Sequence, residues 1–208
     1  MTFDELFKLF RNGLPGEEAH LEFSPIRQKS SVALKNAREV RDAAVAIVIY
    51  PFNDELYSLV IERQTYDGTH SGQISFPGGK VEEFDQNLMQ TAIRECYEEI
   101  GLQLNESDFI SELTPVFIPV SGFHVRPFIF YQEIEPTNFI LSEREVYQLA
   151  HISLKELTND ENVILRSLSV GSTILKDVPH FKLNEIEIWG ATALMLNELK
   201  HVLKKIEL

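Results

Sequence analysis

Residues 71–102 read SGQISFPGGKVEEFDQNLMQTAIRECYEEIGL, a glycine-rich turn running into a helix. At about 100° per residue, with Met89 as zero, Ala92, Ile93, Cys96 and Ile100 fall within roughly 60° of it. That is one apolar stripe able to face a core. Glu95, Glu98 and Glu99 gather roughly 80–180° away, and Arg94 lies about 40° beyond Glu98. Gly101 follows the last periodic residue and suits a left-handed helix cap.

A solvated acidic face is the plain alternative, because like charges at this spacing cost only about 0.2–0.5 kcal/mol per pair. Two features speak against it. Glutamates near a helix C-terminus oppose the macrodipole, so helix stability does not account for Glu98 and Glu99. The turn at Phe76-Pro77-Gly78-Gly79 lies just upstream and can bring backbone amides and carbonyls to the same place. Three carboxylates beside such a turn suit a hard divalent cation, which takes oxygen ligands, carrying a phosphate substrate.

Outward from this stretch, residues 43–50 form the longest apolar run and read as a buried strand. Residues 57–62 form a second strand, joined through a turn at Pro51-Phe52-Asn53-Asp54. Residues 74–76 give a short strand, and residues 86–100 the glutamate helix. Residues 114–119 and 125–133 read as strands flanking a loop, and residues 145–153 as another. Residues 154–157 begin a helical turn, and 158–162 are polar loop. A hairpin is expected around Gly171, from 165–169 and 172–175. Residues 191–206 form a C-terminal helix after Trp189. Residues 2–12 are helical, with Phe3, Leu6, Phe7 and Phe10 apolar, and Gly13, Pro15 and Gly16 end that helix. Strands interleaved with helices predict an α/β/α sandwich around a mixed sheet. Residues 1–40 are expected to be a helical extension or arm, and 41–208 the main domain.

Arg94-Glu95-Cys96-Tyr97-Glu98-Glu99-Ile100-Gly101-Leu102 resembles the second half of the Nudix hydrolase signature, with Cys96 in an aliphatic slot. The first half departs from it. Asp85, reached after the five residues that follow Gly79, stands where the signature has Glu, and eight residues rather than seven separate it from Arg94. With the preceding Gly72-Gln73-Ile74-Ser75-Phe76-Pro77-Gly78-Gly79 run, and His70 and Ser71 before it, this departure resembles the coenzyme A pyrophosphatase branch. Leu59-Val60-Ile61-Glu62-Arg63 suits that branch, whereas Tyr66-Asp67-Gly68-Thr69 matches it poorly. Segments 119–127, 143–146 and 188–193 are similar in order and spacing, so the likeness spans roughly residues 40–200.

The resemblance implies the Nudix fold and hydrolysis of the pyrophosphate link in coenzyme A or its derivatives, giving 3′,5′-ADP and 4′-phosphopantetheine. It implies Mg²⁺ or Mn²⁺ held by Glu95 and Glu99, by Glu98 directly or through water, and by the Gly79 carbonyl. Arg94 is read as orienting the carboxylates through charge-assisted hydrogen bonds. The general base stays open among Glu98, Glu95 and a distant-loop Glu145, with Glu143 behind it. Gly78 and Gly79 are expected to border the substrate. Arg63, Arg126, Lys80 and His124 border the expected cleft and could meet phosphates, or be solvated charges. ADP-ribose, NADH or another nucleoside diphosphate derivative is the other substrate reading, and a nucleotide-sensing domain without turnover the non-catalytic one.

Composition sets the limits of these readings. The chain has 208 residues, enough for one domain with a sizeable core. A net charge of −13 argues against non-specific nucleic acid binding, and equally requires local basic groups and metal to receive an anionic substrate. No apolar run approaches the ~18 residues of a membrane helix, and nothing resembles a signal peptide. The single cysteine, Cys96, excludes an intrachain disulfide, and an intracellular, cytoplasmic monomer or homodimer is expected.

Overall fold

The computed structural model describes residues 1–24, 28–65, 72–170 and 173–206. Tyr66 to Thr69, His70, Ser71, Gly171 and Ser172 therefore lie outside the described residues. The elements in chain order are α1 (Phe3–Arg11), α2 (Glu17–Glu22), α3 (Ser30–Lys35), β1 (Arg41–Phe52), β2 (Glu55–Arg63), β3 (Ile74–Ser75), β4 (Gly78–Lys80) and α4 (Leu88–Ile100). Then follow β5 (Phe109–Glu112), β6 (Val116–Ile118), β7 (Phe123–Tyr131), β8 (Val146–Ser153), α5 (Leu154–Thr158), β9 (Val163–Val170), β10 (Thr173–Leu183), β11 (Ile186–Ile188) and α6 (Gly190–Leu203).

Strand β1 organises the molecule because both of its faces are apolar. Ala44, Ala46, Val48 and Tyr50 point to one side and pack with Ala92, Ile93, Cys96 and Ile100 of α4. Ala43, Ile47 and Ile49 point to the other and pack with residues of α1, α5, α6 and β10. A strand buried on both faces needs a layer on each, and the result is the expected α/β/α sandwich. The main sheet runs β3-β2-β1-β7-β5, with β4 pairing β1, β6 pairing β7 and β8 pairing β2. It is mixed: β1 is parallel to β7 and antiparallel to β2 and β4. A second sheet, β11-β10-β9, contributes Phe181, Leu183 and Ile188 to the core cluster that holds α6.

Local chemistry sets the joints. The β1–β2 hairpin closes on Asn53 and Asp54, both at positive φ (48° and 65°), the conformation a two-residue primed turn requires. Strand β1 therefore continues through Pro51 and Phe52, which the sequence pattern had placed in the turn. Asn87 caps α4 by accepting from the Gln90 amide at 3.0 Å, so the helix starts at Leu88. Strand β6 keeps only the centre of its expected span, and β7 begins and ends two residues early. Strands β9 and β10 run well beyond the short hairpin expected there, and β11 extends their sheet.

The first 40 residues are tied to this core. Leu6, Leu9, Phe10 and Phe23 lie in one cluster with Ile47, Val60 and Leu196. Glu198 of α6, fully buried, anchors the same segment. It accepts from the Gly16 amide (3.2 Å), the Thr114 amide (3.0 Å) and the Thr114 hydroxyl (2.6 Å), and meets His20 Nε2 at 3.0 Å. Removing one member of a buried network strands the rest. Glu198→Ala is expected to destabilise the fold by about 2–4 kcal/mol, read as a lower urea midpoint at unchanged m-value. A midpoint within error of the parent protein would refute the anchoring role.

Candidate functional site

Helix α4 lies over the β1–β4 junction with its acidic side turned toward the glycine turn. Gly101, at φ 72°, ends it as expected, its amide donating to the Tyr97 carbonyl at 2.8 Å. The absence of side chains at Gly78 and Gly79 permits the close approach. A Cβ at Gly79 would stand 2.5 Å from the carboxyl carbon of Glu95. One at Gly78 would collide with the backbone of Ala44 and Val45 in β1.

The three helix glutamates have different surroundings. Glu99 is 1% exposed. Its Oε2 accepts from the Gly78 amide at 2.8 Å and its Oε1 from Arg63 Nη1 at 3.1 Å. Burial pushes its pKa up to about 7; the charges of Glu95 and Glu145 add to this, and Arg63 and the Gly78 amide oppose it. Glu95 is also raised, by burial first, with Arg94 opposing and Glu98 and Glu145 adding. Glu98 is half exposed.

Arg94 joins them. Its Nη1 reaches Glu95 Oε1 and Glu98 Oε2, each at 2.8 Å. Its Nε and Nη2 bind both oxygens of Asp85, at 3.0 and 2.9 Å, and Nη2 also donates to the Lys80 carbonyl at 3.1 Å. Asp85 is held in turn by the Thr91 hydroxyl and the Glu82 amide, each at 2.9 Å. The guanidinium of Arg94 holds the Asp85 carboxyl down at about 2, so the pair stays charged at any physiological pH. Asp85, noted in the sequence only as a departure from the signature, is thus the far end of a clamp that fixes Glu95 and Glu98. The signal for it was its place in the signature, nine residues before Arg94.

The remaining sequence-marked residues divide. Arg63 reaches the cluster through Glu99. Glu145 is exposed in the turn just before β8, its carbonyl accepting from the Gln64 amide at 2.9 Å and its carboxylate 3.4 Å from the Ser142 hydroxyl. Its charge acts on both Glu95 and Glu99. Glu143 is exposed, and its carbonyl accepts from Gln64. Arg126 is separated from Gly79 by Ala44 across the sheet and is committed to Glu112, with two contacts of 2.6 Å. Lys80 pairs with Glu82 at 3.0 Å and His124 with Asp42 at 3.4 Å. Cys96 faces the core, and burial pushes its thiol pKa up, so it is no nucleophile. Ser75 is a residue the sequence gave no reason to single out. Its hydroxyl oxygen is buried without a partner among the described residues, opposite Ile61 in the ladder and so on the α4 side of the sheet.

The donor set suits a hard divalent cation. It consists of oxygens only: carboxylates whose mutual repulsion a cation would relieve, beside a turn whose backbone abuts Glu95. Among the described residues no three His, Cys, Asp or Glu side chains stand ready as a cage. The carboxylates are instead shared out between Arg94 and Arg63.

The NUDIX domain family model matches residues 40–168. The chain belongs to the Nudix family. It is 31% identical over 140 residues to the mitochondrial coenzyme A diphosphatase NUDT8 of Homo sapiens, a match covering 67% of this Nudix chain and 58% of the human protein. It is 33% identical over 173 residues to the peroxisomal coenzyme A diphosphatase ndx-8 of Caenorhabditis elegans, covering 80% of this chain and 70% of that one. Among solved structures, a MutT/nudix family protein from Enterococcus faecalis superposes with a TM-score of 0.57 at 13% identity, over 90% of this chain and 74% of that one. The MutT protein of Methanosarcina mazei Go1 gives 0.53 at 18% identity, over 81% and 97%. At such identities the structural likeness shows the shared Nudix fold. Nudix hydrolases generally use divalent metal ions. No helix among the described residues is long and apolar enough to cross a membrane.

Proposed function

We propose that this Nudix chain is a divalent-metal-dependent hydrolase that splits the pyrophosphate link of coenzyme A or its derivatives into 3′,5′-ADP and 4′-phosphopantetheine. The observation that carries the hydrolase reading is the clamp: Asp85 fixes Arg94, and Arg94 fixes Glu95 and Glu98 beside a buried Glu99. A helix face that merely met water would have no use for such fixing. The coenzyme A reading rests on the curated relatives, the human and nematode proteins being named as coenzyme A diphosphatases.

Glu95 and Glu99 would hold Mg²⁺ or Mn²⁺, with Glu98 and the Gly79 carbonyl as further donors. The bound cation would neutralise phosphate oxygens and lower the pKa of a coordinated water. The protein's own share is positional. Arg94 keeps two carboxylates in fixed geometry, and the Gly78 amide fixes a third. Attack by water forms a new phosphorus–oxygen bond and breaks the bridging one. The water's proton passes to a carboxylate, for which Glu98, half exposed beside the turn, and Glu145, whose charge acts on Glu95 and Glu99, are the candidates. A cytoplasmic setting is part of the proposal; the names of those two relatives refer to mitochondria and peroxisomes.

One observation favours a second substrate reading. Coenzyme A carries a 3′-phosphate, yet Arg126, Lys80 and His124 are each paired with a carboxylate. A nucleoside diphosphate derivative without that phosphate, such as ADP-ribose or NADH, makes no such demand. The deciding experiment incubates the protein with Mn²⁺ and a panel of coenzyme A, acyl-coenzyme A, ADP-ribose and NADH, with products identified by mass spectrometry. Release of phosphopantetheine is expected. Brisk cleavage of another member without it would reject coenzyme A and keep the hydrolase; no cleavage of any member would leave the nucleotide-sensing reading.

A further inference from the structure

Among the described residues, two arginines face the acidic cluster, and they are held very differently. Arg94 is locked by contacts to Asp85, Glu95, Glu98 and the Lys80 carbonyl. Arg63, the last residue of β2, donates a single side-chain hydrogen bond among the described residues, to Glu99 Oε1 at 3.1 Å. Its side chain is 24% exposed, whereas that of Glu99 is 1% exposed. The pair therefore joins a carboxylate fixed in the interior to a guanidinium with a way out to water.

Glu99 does not need Arg63 for its orientation. Its other oxygen is anchored by the Gly78 amide, a backbone donor that the β1–β4 ladder holds in place. What Arg63 supplies is positive charge, which a buried carboxylate requires. A divalent cation bound at Glu99 would supply more of it, and the two positive groups would repel.

Resting on the metal-dependent reading above, we propose that Arg63 is an exchangeable internal counter-ion. It neutralises Glu99 in the ion-free protein, is displaced when a divalent cation binds Glu99, and then turns to the phosphate oxygens of the incoming substrate. This gives the site an order. The cation binds first, and its binding creates a phosphate-facing arginine that was previously engaged. It also answers the difficulty of admitting an anionic substrate to a chain of net charge −13, because the guanidinium is released only where the cation already sits. Metal and substrate are then coupled, each strengthening the other's binding.

The neighbourhood offers one competing destination. Arg63 pairs with Val146 in the β2–β8 ladder, one residue from Glu145, whose charge acts on Glu99 as that of Arg63 does. A freed guanidinium could move there instead of to phosphate, and the experiment separates the two.

Mn²⁺ binding is measured by isothermal titration calorimetry with no nucleotide present, on the parent protein, R63Q and R63K. Thermal unfolding confirms that each variant is folded. R63Q removes the competitor and is expected to bind Mn²⁺ about 10-fold more tightly, within the usual range of such couplings. R63K keeps the charge and is expected to stay within about threefold of the parent protein. Steady-state kinetics on whichever diphosphate the parent protein cleaves should show R63Q with KM raised about 10-fold at near-constant kcat, the loss of a uniform phosphate contact. Mn²⁺ affinity in R63Q equal to or weaker than the parent value overturns the counter-ion role. Tighter Mn²⁺ binding with unchanged KM overturns the transfer to phosphate and points to Glu145. The binding arm uses no substrate, so failure of coenzyme A as the substrate leaves it standing. Absence of Mn²⁺ binding in both parent protein and R63Q overturns this proposal and the metal-dependent reading together.

Discussion

Glu99→Gln is expected to lower kcat with Mn²⁺ by about 10²–10³-fold while leaving the fold intact. Glutamine keeps the shape of the side chain and one acceptor for the Gly78 amide, so the β4 turn retains its contact with α4. It loses the charge that would hold a cation. That charge is costly in the ion-free protein: the group is almost wholly buried, with Glu95 and Glu145 acting on it and Arg63, among the described residues, as the one guanidinium in contact with it. The variant should therefore melt, without metal, at or above the parent temperature. The pairing of lost turnover with preserved stability is the diagnostic result, because a merely structural Glu99 would lose both. Turnover within a few-fold of the parent protein, at saturating Mn²⁺, would remove Glu99 from the metal set and with it the strongest leg of the proposed function.

How much of this was legible in the sequence depends on the distance over which each interaction acts. The α4 face was legible, because Ala92, Ile93, Cys96 and Ile100 recur at helical spacing and Gly101 stops the helix by a local backbone requirement. The mixed sheet was legible in outline from the strands interleaved with helices. Side-chain pairs that cross elements were not. Nothing in the order of residues tells that Arg63 meets Glu99, thirty-six positions away, rather than a phosphate. The same holds for Arg126 and Glu112, which meet only because β5 pairs with β7. The pairing of Asp85 with Arg94 spans a loop whose bend periodicity cannot show. Glu198 was invisible for a different reason. On a C-terminal helix it reads as an ordinary polar position, and only the docking of residues 16–20 and Thr114 makes it a buried anchor. The short span expected for β10 and the two-residue shift of β7 have a related cause, since a strand runs as far as its partner continues, and the partner is not local.

The two glycines of the β4 turn are expected to separate fold from catalysis. At Gly78 an added methyl would meet the Ala44 carbonyl and the Val45 Cα, both backbone of the central strand, at distances no real Cβ shows. Neither can move without disturbing the β1–β4 ladder, in which Gly78 pairs with Val45. Gly78→Ala should cost about 3 kcal/mol or more, a fall in Tm of roughly 6–12 °C for a chain of this size. At Gly79 the same methyl would meet the carboxylate of Glu95, the far end of a side chain that Arg94 holds by one hydrogen bond. The fold yields there at a cost of about 1–2 kcal/mol, by turning that carboxylate away, and Arg94 loses one of the two glutamates it holds. A displacement of this size at a reacting centre is worth about 10² in rate. Gly79→Ala should accordingly melt within a few degrees of the parent protein yet lose about 100-fold in kcat. The two measurements are thermal unfolding and steady-state turnover on both variants. If Gly79→Ala keeps full activity, the position of Glu95 over the turn does not matter to the reaction; if Gly78→Ala melts normally, the close approach of β4 to β1 does not hold the site together.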